Sequence, residues 1–177
     1  MRPPPFSVAA GCSSSDSGGE TRGTLAFAAG ECCGDPERIP LDIWLMNGDG
    51  SDSRQLTRDA GSQFTPSWSP SGRLLVVGSP EGLYVIDADG SGRRKLVRSG
   101  AVHPIWSPNG EEIAFTRNTD GYVVEADGSG LRRLGNGFPG DWSPDGEKIA
   151  VTDNSQIRVF GADGGGSRRL SRPEGND

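Results

Sequence analysis

The chain has 177 residues, of which 32% are hydrophobic, 28 are glycine and 13 are proline, with a formal net charge of −6 and a sequence pI near 4.8. An acidic balance argues against a general nucleic-acid binder, whose affinity comes largely from neutralising phosphates, and no apolar run approaches the ~20 residues that span a bilayer as a helix. Short apolar runs set between many turn formers point to an all-β chain.

Residues 1–22 are of low complexity and read as a disordered leader. Within it, Val8-Ala9-Ala10-Gly11-Cys12 followed by a Ser/Gly-rich tether resembles the end of a bacterial lipoprotein signal, in which Cys12 would be the lipidated residue. Ala9 stands where such signals usually carry leucine, and only Phe6 to Ala10 supply an apolar region, shorter than the usual length of about 7–15 residues. The expectation is either a signal whose start lies upstream of Met1 or a chance match within a disordered tail. Cys32 and Cys33 are adjacent in a polar stretch; neighbours in sequence do not suit disulfide geometry, and the pair reads as part of a hairpin loop.

From Gly23 onward four similar units follow, over about 23–58, 63–98, 101–135 and 138–171, with a tail at 173–177. Each holds two apolar runs, such as Leu75-Val76-Val77 and Leu83-Tyr84-Val85-Ile86. An Asp-Gly turn comes next, at Asp49-Gly50, Asp89-Gly90, Asp127-Gly128 and Asp163-Gly164, and a basic segment ending in leucine closes the unit. Runs of this kind suit strands, and Asp-Gly is a hairpin signal because glycine accepts positive φ without steric cost, so each unit is expected to be an antiparallel meander.

The sharpest repeat is Trp-Ser-Pro-x-Gly. It occurs as Trp68-Ser69-Pro70-Ser71-Gly72, Trp106-Ser107-Pro108-Asn109-Gly110 and Trp142-Ser143-Pro144-Asp145-Gly146, at steps of 38 and 36 residues. Such a period marks stacked β-units that cannot bury their hydrophobic faces alone. Proline presets φ at the first central turn position, and Ser71, Asn109 and Asp145 at the next are all good turn formers. A catalytic carboxylate would not tolerate exchange for Ser or Asn, so the motif reads as scaffold. Its tryptophan reads as a packing key between neighbouring sheets, with burial worth about 4–6 kcal/mol as an upper estimate.

These motifs resemble the WD-like propeller repeat of the TolB type, also seen in the propeller domains of prolyl-oligopeptidase-like and tricorn-like peptidases. The likeness covers residues 23 to about 172; one departure is Gly140, which stands where the two preceding units carry Pro66 and Pro104. It implies a β-propeller of about four four-stranded antiparallel blades, and a periplasmic or cell-envelope protein that binds protein partners. In that family the segment ending in Trp-Ser-Pro is the innermost strand of its blade. Units two to four have one, and only the Gly/Ser leader precedes Leu25, so the first blade is expected to lack its inner strand. The expectation is a partial propeller, either a truncated gene product or a chain that associates with itself through open blade edges.

Little in the sequence suits catalysis. It has one histidine, His103, no Gly-x-Ser-x-Gly elbow, no phosphate-binding loop and no His-Glu-x-x-His zinc site. Asp87-Ala88-Asp89-Gly90-Ser91-Gly92 has the outline of a calcium loop, but its twelfth position is Arg98 where an acidic residue is needed. The recurring pairs Arg93-Arg94, Arg132-Arg133 and Arg168-Arg169 read as charge that blocks edge pairing. The expected function is a non-catalytic binding module without cofactor or metal, touching a membrane only through a lipid at Cys12; the alternative is a propeller severed from a larger enzyme such as a serine peptidase.

Overall fold

The computed structural model describes residues 8–13, 23–30, 41–58, 62–154 and 156–171, which form sixteen β-strands and no helix. They make four separate four-stranded sheets. The first comprises β1 (Val8–Ser13), β2 (Thr24–Ala29), β3 (Asp42–Asn47) and β4 (Arg54–Gln55), and the second β5 (Phe64–Trp68), β6 (Leu74–Ser79), β7 (Gly82–Asp87) and β8 (Arg94–Arg98). The third comprises β9 (Val102–Trp106), β10 (Glu112–Arg117), β11 (Asp120–Glu125) and β12 (Arg132–Asn136), and the fourth β13 (Phe138–Trp142), β14 (Lys148–Asp153), β15 (Gln156–Gly161) and β16 (Ser167–Ser171). Strand order follows the chain in every sheet, so each is an antiparallel meander.

In the second and third sheets the two middle strands are apolar on both faces because a neighbouring sheet covers each face. Side chains alternate across a strand, so directly paired residues share a face. In the third sheet Ile113 pairs with Val124 and looks back toward the second, while Ala114 pairs with Val123 and looks forward to the fourth. The core is accordingly three slabs between successive sheets. Ala26, Ile43 and Leu45 meet Trp68, Leu75 and Ile86 in the first slab. Val76, Leu83 and Val85 meet Trp106, Ile113 and Phe115 in the second, and Ala114, Val123 and Leu134 meet Trp142, Ile149 and Phe160 in the third. The strands β1, β5, β9 and β13 lie side by side as the inner wall.

One expectation is corrected here. The first sheet has its inner strand, β1, drawn from within residues 1–22, which read as a leader. Cys12 pairs with Leu25 in the register in which Trp68 pairs with Leu75, Trp106 with Ile113 and Trp142 with Ile149. The physical reason is that backbone pairing needs an extended segment of the right length, not the tryptophan. The rest of 1–22, Cys32 and Cys33, and the tail 173–177 lie outside the described residues.

Candidate functional site: inner wall and channel mouth

Each Trp-Ser-Pro turn is held by the same set of bonds. The serine amide donates to the carbonyl five residues on, Ser69 to Leu74, Ser107 to Glu112 and Ser143 to Lys148, at 2.8–2.9 Å. The serine Oγ in return accepts from the amides of Leu74 (3.1 Å), Glu112 (2.9 Å) and Lys148 (2.9 Å). Gly72, Gly110 and Gly146 adopt φ of 67°, 74° and 74°, and each donates its amide to the serine carbonyl.

The residue that varies between copies has one constant duty, to offer an oxygen. Asn109 Oδ1 accepts from Ser107 Oγ (2.7 Å) and from the Glu111 amide (3.1 Å). Asp145 Oδ1 accepts from Ser143 Oγ (2.5 Å) and the Glu147 amide (3.0 Å), and these bonds, the serine hydroxyl first, hold its carboxyl below the ordinary value of 3.8. Ser71 Oγ lies 3.1 Å from Ser69 Oγ. Pro70, Pro108 and Pro144 are exposed at the turn corners.

The tryptophans join one sheet to the next. Trp68, Trp106 and Trp142 are buried at 7–9% exposure. Trp106 Nε1 donates to the Ser67 carbonyl at 3.2 Å and Trp142 Nε1 to the Ile105 carbonyl at 3.3 Å, each reaching the residue before the preceding tryptophan. Trp68 Nε1 is buried and has no hydrogen-bond partner among the described residues. Arginines form a second set of ties, which edge charge alone does not describe. Arg54 Nη2 donates to the Ala88 carbonyl (2.6 Å), and Arg132 Nε donates to the Ala162 carbonyl (2.8 Å), in each case in the following sheet.

With the repeated residues occupied in this way, the inner wall is lined by positions that differ from sheet to sheet. Ser67, Ile105 and Asp141 stand at matching places just before the tryptophans. They border an open groove of about 380 Å³ together with the Trp-Ser-Pro turns. Two residues up, each strand carries a β-bulge near its proline. There Thr65 and His103 take positive φ, 47° and 52°, immediately before Pro66 and Pro104. Proline disfavours helical conformations in its predecessor, and the β-branched Thr65 is strained at positive φ, so the wall stores strain there above all. Thr65 Oγ1 accepts the His103 amide at 3.1 Å, tying the neighbouring strands together. His103 is exposed, and no hydroxyl, thiol or carboxylate among the described residues is hydrogen-bonded to its ring.

The acidic turns are also engaged. Asp49, Asp89, Asp127 and Asp163 each accept, through Oδ1, the amide two residues on, at 2.7–3.0 Å. Bonds from Ser91 hold the Asp89 carboxyl below its ordinary value, and bonds from Ser129 do the same for Asp127. Among the described residues no group of three His, Cys, Asp or Glu side chains could hold a metal ion. Cys12 lies in β1 with its backbone paired to Leu25.

Four-stranded meander sheets stacked around a shared inner wall define a β-propeller module. The chain matches no protein-family model and no curated protein sequence. Among solved structures it is similar to a TolB from Agrobacterium tumefaciens, with a TM-score of 0.64 at 22% identity over 82% of this chain and 60% of that one. It is similar to a chain of a nidogen/laminin complex, with a TM-score of 0.64 at 17% identity over 83% and 60%. An oligogalacturonate lyase in complex with manganese matches with a TM-score of 0.65 at 14% identity over 85% and 50%. The fold is thus a TolB-like partial β-propeller, and the chain spans 50–60% of the length of these neighbours.

Proposed function

We propose that this chain is a non-catalytic binding module that holds a protein partner against its inner wall and channel mouth, in the bacterial cell envelope. One observation carries the reading. Residues that repeat are consumed by turns and by ties between sheets, whereas those that change from sheet to sheet, Ser67, Ile105 and Asp141, border the groove at the inner wall with Thr65 and His103 above them, Ile105 also packing against the third slab. A rigid repeated frame that displays a varied polar and apolar surface suits recognition, and the likeness to a propeller in a nidogen/laminin complex supports a protein as partner. The likeness to TolB supports the envelope. The similarity to a manganese-bound lyase makes catalysis the competing reading.

Photocrosslinking from position 105 in envelope extracts tests both. A discrete protein adduct, lost in Asp141→Arg, is the expected result. Release of unsaturated products from oligogalacturonate in the presence of manganese, or specific peptide cleavage, by the purified chain would overturn it.

A further inference from the structure

The two outermost faces of the stack match in register and in polar groups. Every sheet presents a forward face to its successor and a back face to its predecessor. On the forward face of the third sheet Ala114, Val123 and Leu134 are buried at 0%, 0% and 8% exposure under Trp142, Ile149 and Phe160. On the fourth sheet the same places are held by Ala150, Val159 and Leu170; Leu170 is 57% exposed, flanked by Phe138 at 50% and Ile157 at 44%. These are three of the four large hydrophobic side chains exposed among the described residues. Exposed apolar side chains gathered on one sheet face in this way mark an interaction surface.

At the other end of the stack, the back face of the first sheet carries Phe27, buried at 8% exposure, and the half-buried Leu25, Trp44 and Met46. Their register mates in the third sheet, Ile113, Phe115, Tyr122 and Val124, pack on the second sheet. The polar tie is matched as well. Arg168 pairs with Val159 as Arg132 pairs with Val123 and Arg54 with Leu45, so it stands where the two arginines that reach the next sheet stand. Its acceptor would be the carbonyl two residues past the end of the back-face pair. That is Ala162 after Phe160 in the fourth sheet and Gly48 after Met46 in the first.

We propose that the forward face of the fourth sheet takes the back face of the first sheet of a second copy, with Arg168 donating to the Gly48 carbonyl across the junction. Two copies joined head to tail at two such junctions close a ring of twice four blades, within the span of about 4–8 blades found in propellers. The occupant is a second copy because this chain itself supplies both the apolar register and the arginine–carbonyl pair. The inference depends on the sheet faces alone and stands whether or not the inner wall binds a partner.

Light scattering after size exclusion and native mass spectrometry of the 177-residue chain test it. The expected mass is twice 18.6 kDa. Leu170→Asp and Trp44→Asp, on opposite ends of the stack, should each give the single-copy mass with unchanged far-ultraviolet circular dichroism. A dimer joined through two forward faces would be broken only by the first. Arg168→Ala, an exposed site that leaves folding intact, should weaken the dimer roughly tenfold. A single-copy mass for the parent, an open-ended assembly, or a dimer that survives either aspartate variant would overturn the proposal.

Discussion

The third and fourth blades use nearly the same residues in the same registers, and they differ in what covers them. Ala114, Val123 and Leu134 are core because Trp142 and Ile149 lie on top of them, whereas Val159 is half-buried and Leu170 exposed. Leucine at this position is therefore not intrinsically a core residue. A blade becomes a folded layer when a neighbour supplies the opposite half of its slab, which is why repeat proteins draw so much of their stability from interfaces between units.

Truncating each of the two leucines measures this difference most directly. Leu134→Ala leaves a cavity between two sheets and should cost about 2–5 kcal/mol in urea unfolding. Leu170→Ala should cost less than about 0.5 kcal/mol at protein concentrations where single copies prevail, as surface changes do. Its cost should then rise with concentration as copies associate, while that of Leu134→Ala stays constant. Equal, concentration-independent losses would show that the fourth blade is covered by something else.

The tryptophans give a smaller and more specific contrast. Trp106→Phe keeps most of the apolar bulk but removes the donor to the Ser67 carbonyl, so it should cost about 1 kcal/mol more than Trp68→Phe. Trp68 has no such bond to lose among the described residues, and the replacement removes a buried N–H that is unpaired there. Urea midpoints for the two variants at equal slope decide it. A larger loss in Trp68→Phe would mean that its indole is bonded in solution.

Much of this was legible in the sequence because turn chemistry leaves a strict trace. Trp-Ser-Pro-x-Gly and Asp-Gly mark the corners of the blades, and the apolar runs between them are strands β6, β7, β10, β11, β14 and β15. The inner strand of the first blade was hidden for two physical reasons. Cys12 occupies the tryptophan register, and Leu25 follows thirteen positions later where the other blades need seven. A short apolar run before Cys12-Ser13, a trace of Trp-Ser, was the available signal, and it reads equally well as the end of a lipoprotein signal. The two readings differ in chemistry, since cleavage before Cys12 would remove Val8 to Gly11 from β1. The arginine ties were less visible, because their acceptors are backbone carbonyls 30 and 34 residues away.

The finest test again sets the third blade against the fourth, through the turn residues Asn109 and Asp145. Both offer Oδ1 to a serine hydroxyl and to a backbone amide, but only Asp145 titrates. Its folded value lies below the ordinary 3.8, so between the two values the unfolded chain binds more protons than the folded one. The stabilisation is therefore fully present above 3.8 and is lost as pH falls below it through the folded value. Asp145→Asn should leave neutral-pH stability nearly unchanged and remove this part of the acid sensitivity. Asn109→Asp should add a similar increment to the third blade. Asp89, Asp120 and Asp127 are held low by their own partners and titrate identically in parent and variant, so the difference in urea midpoint against pH isolates residue 145. A difference curve that stays flat below 3.8 would show that the serine bond does not favour the charged carboxylate, and that the third and fourth turns are equivalent in charge as well as in shape.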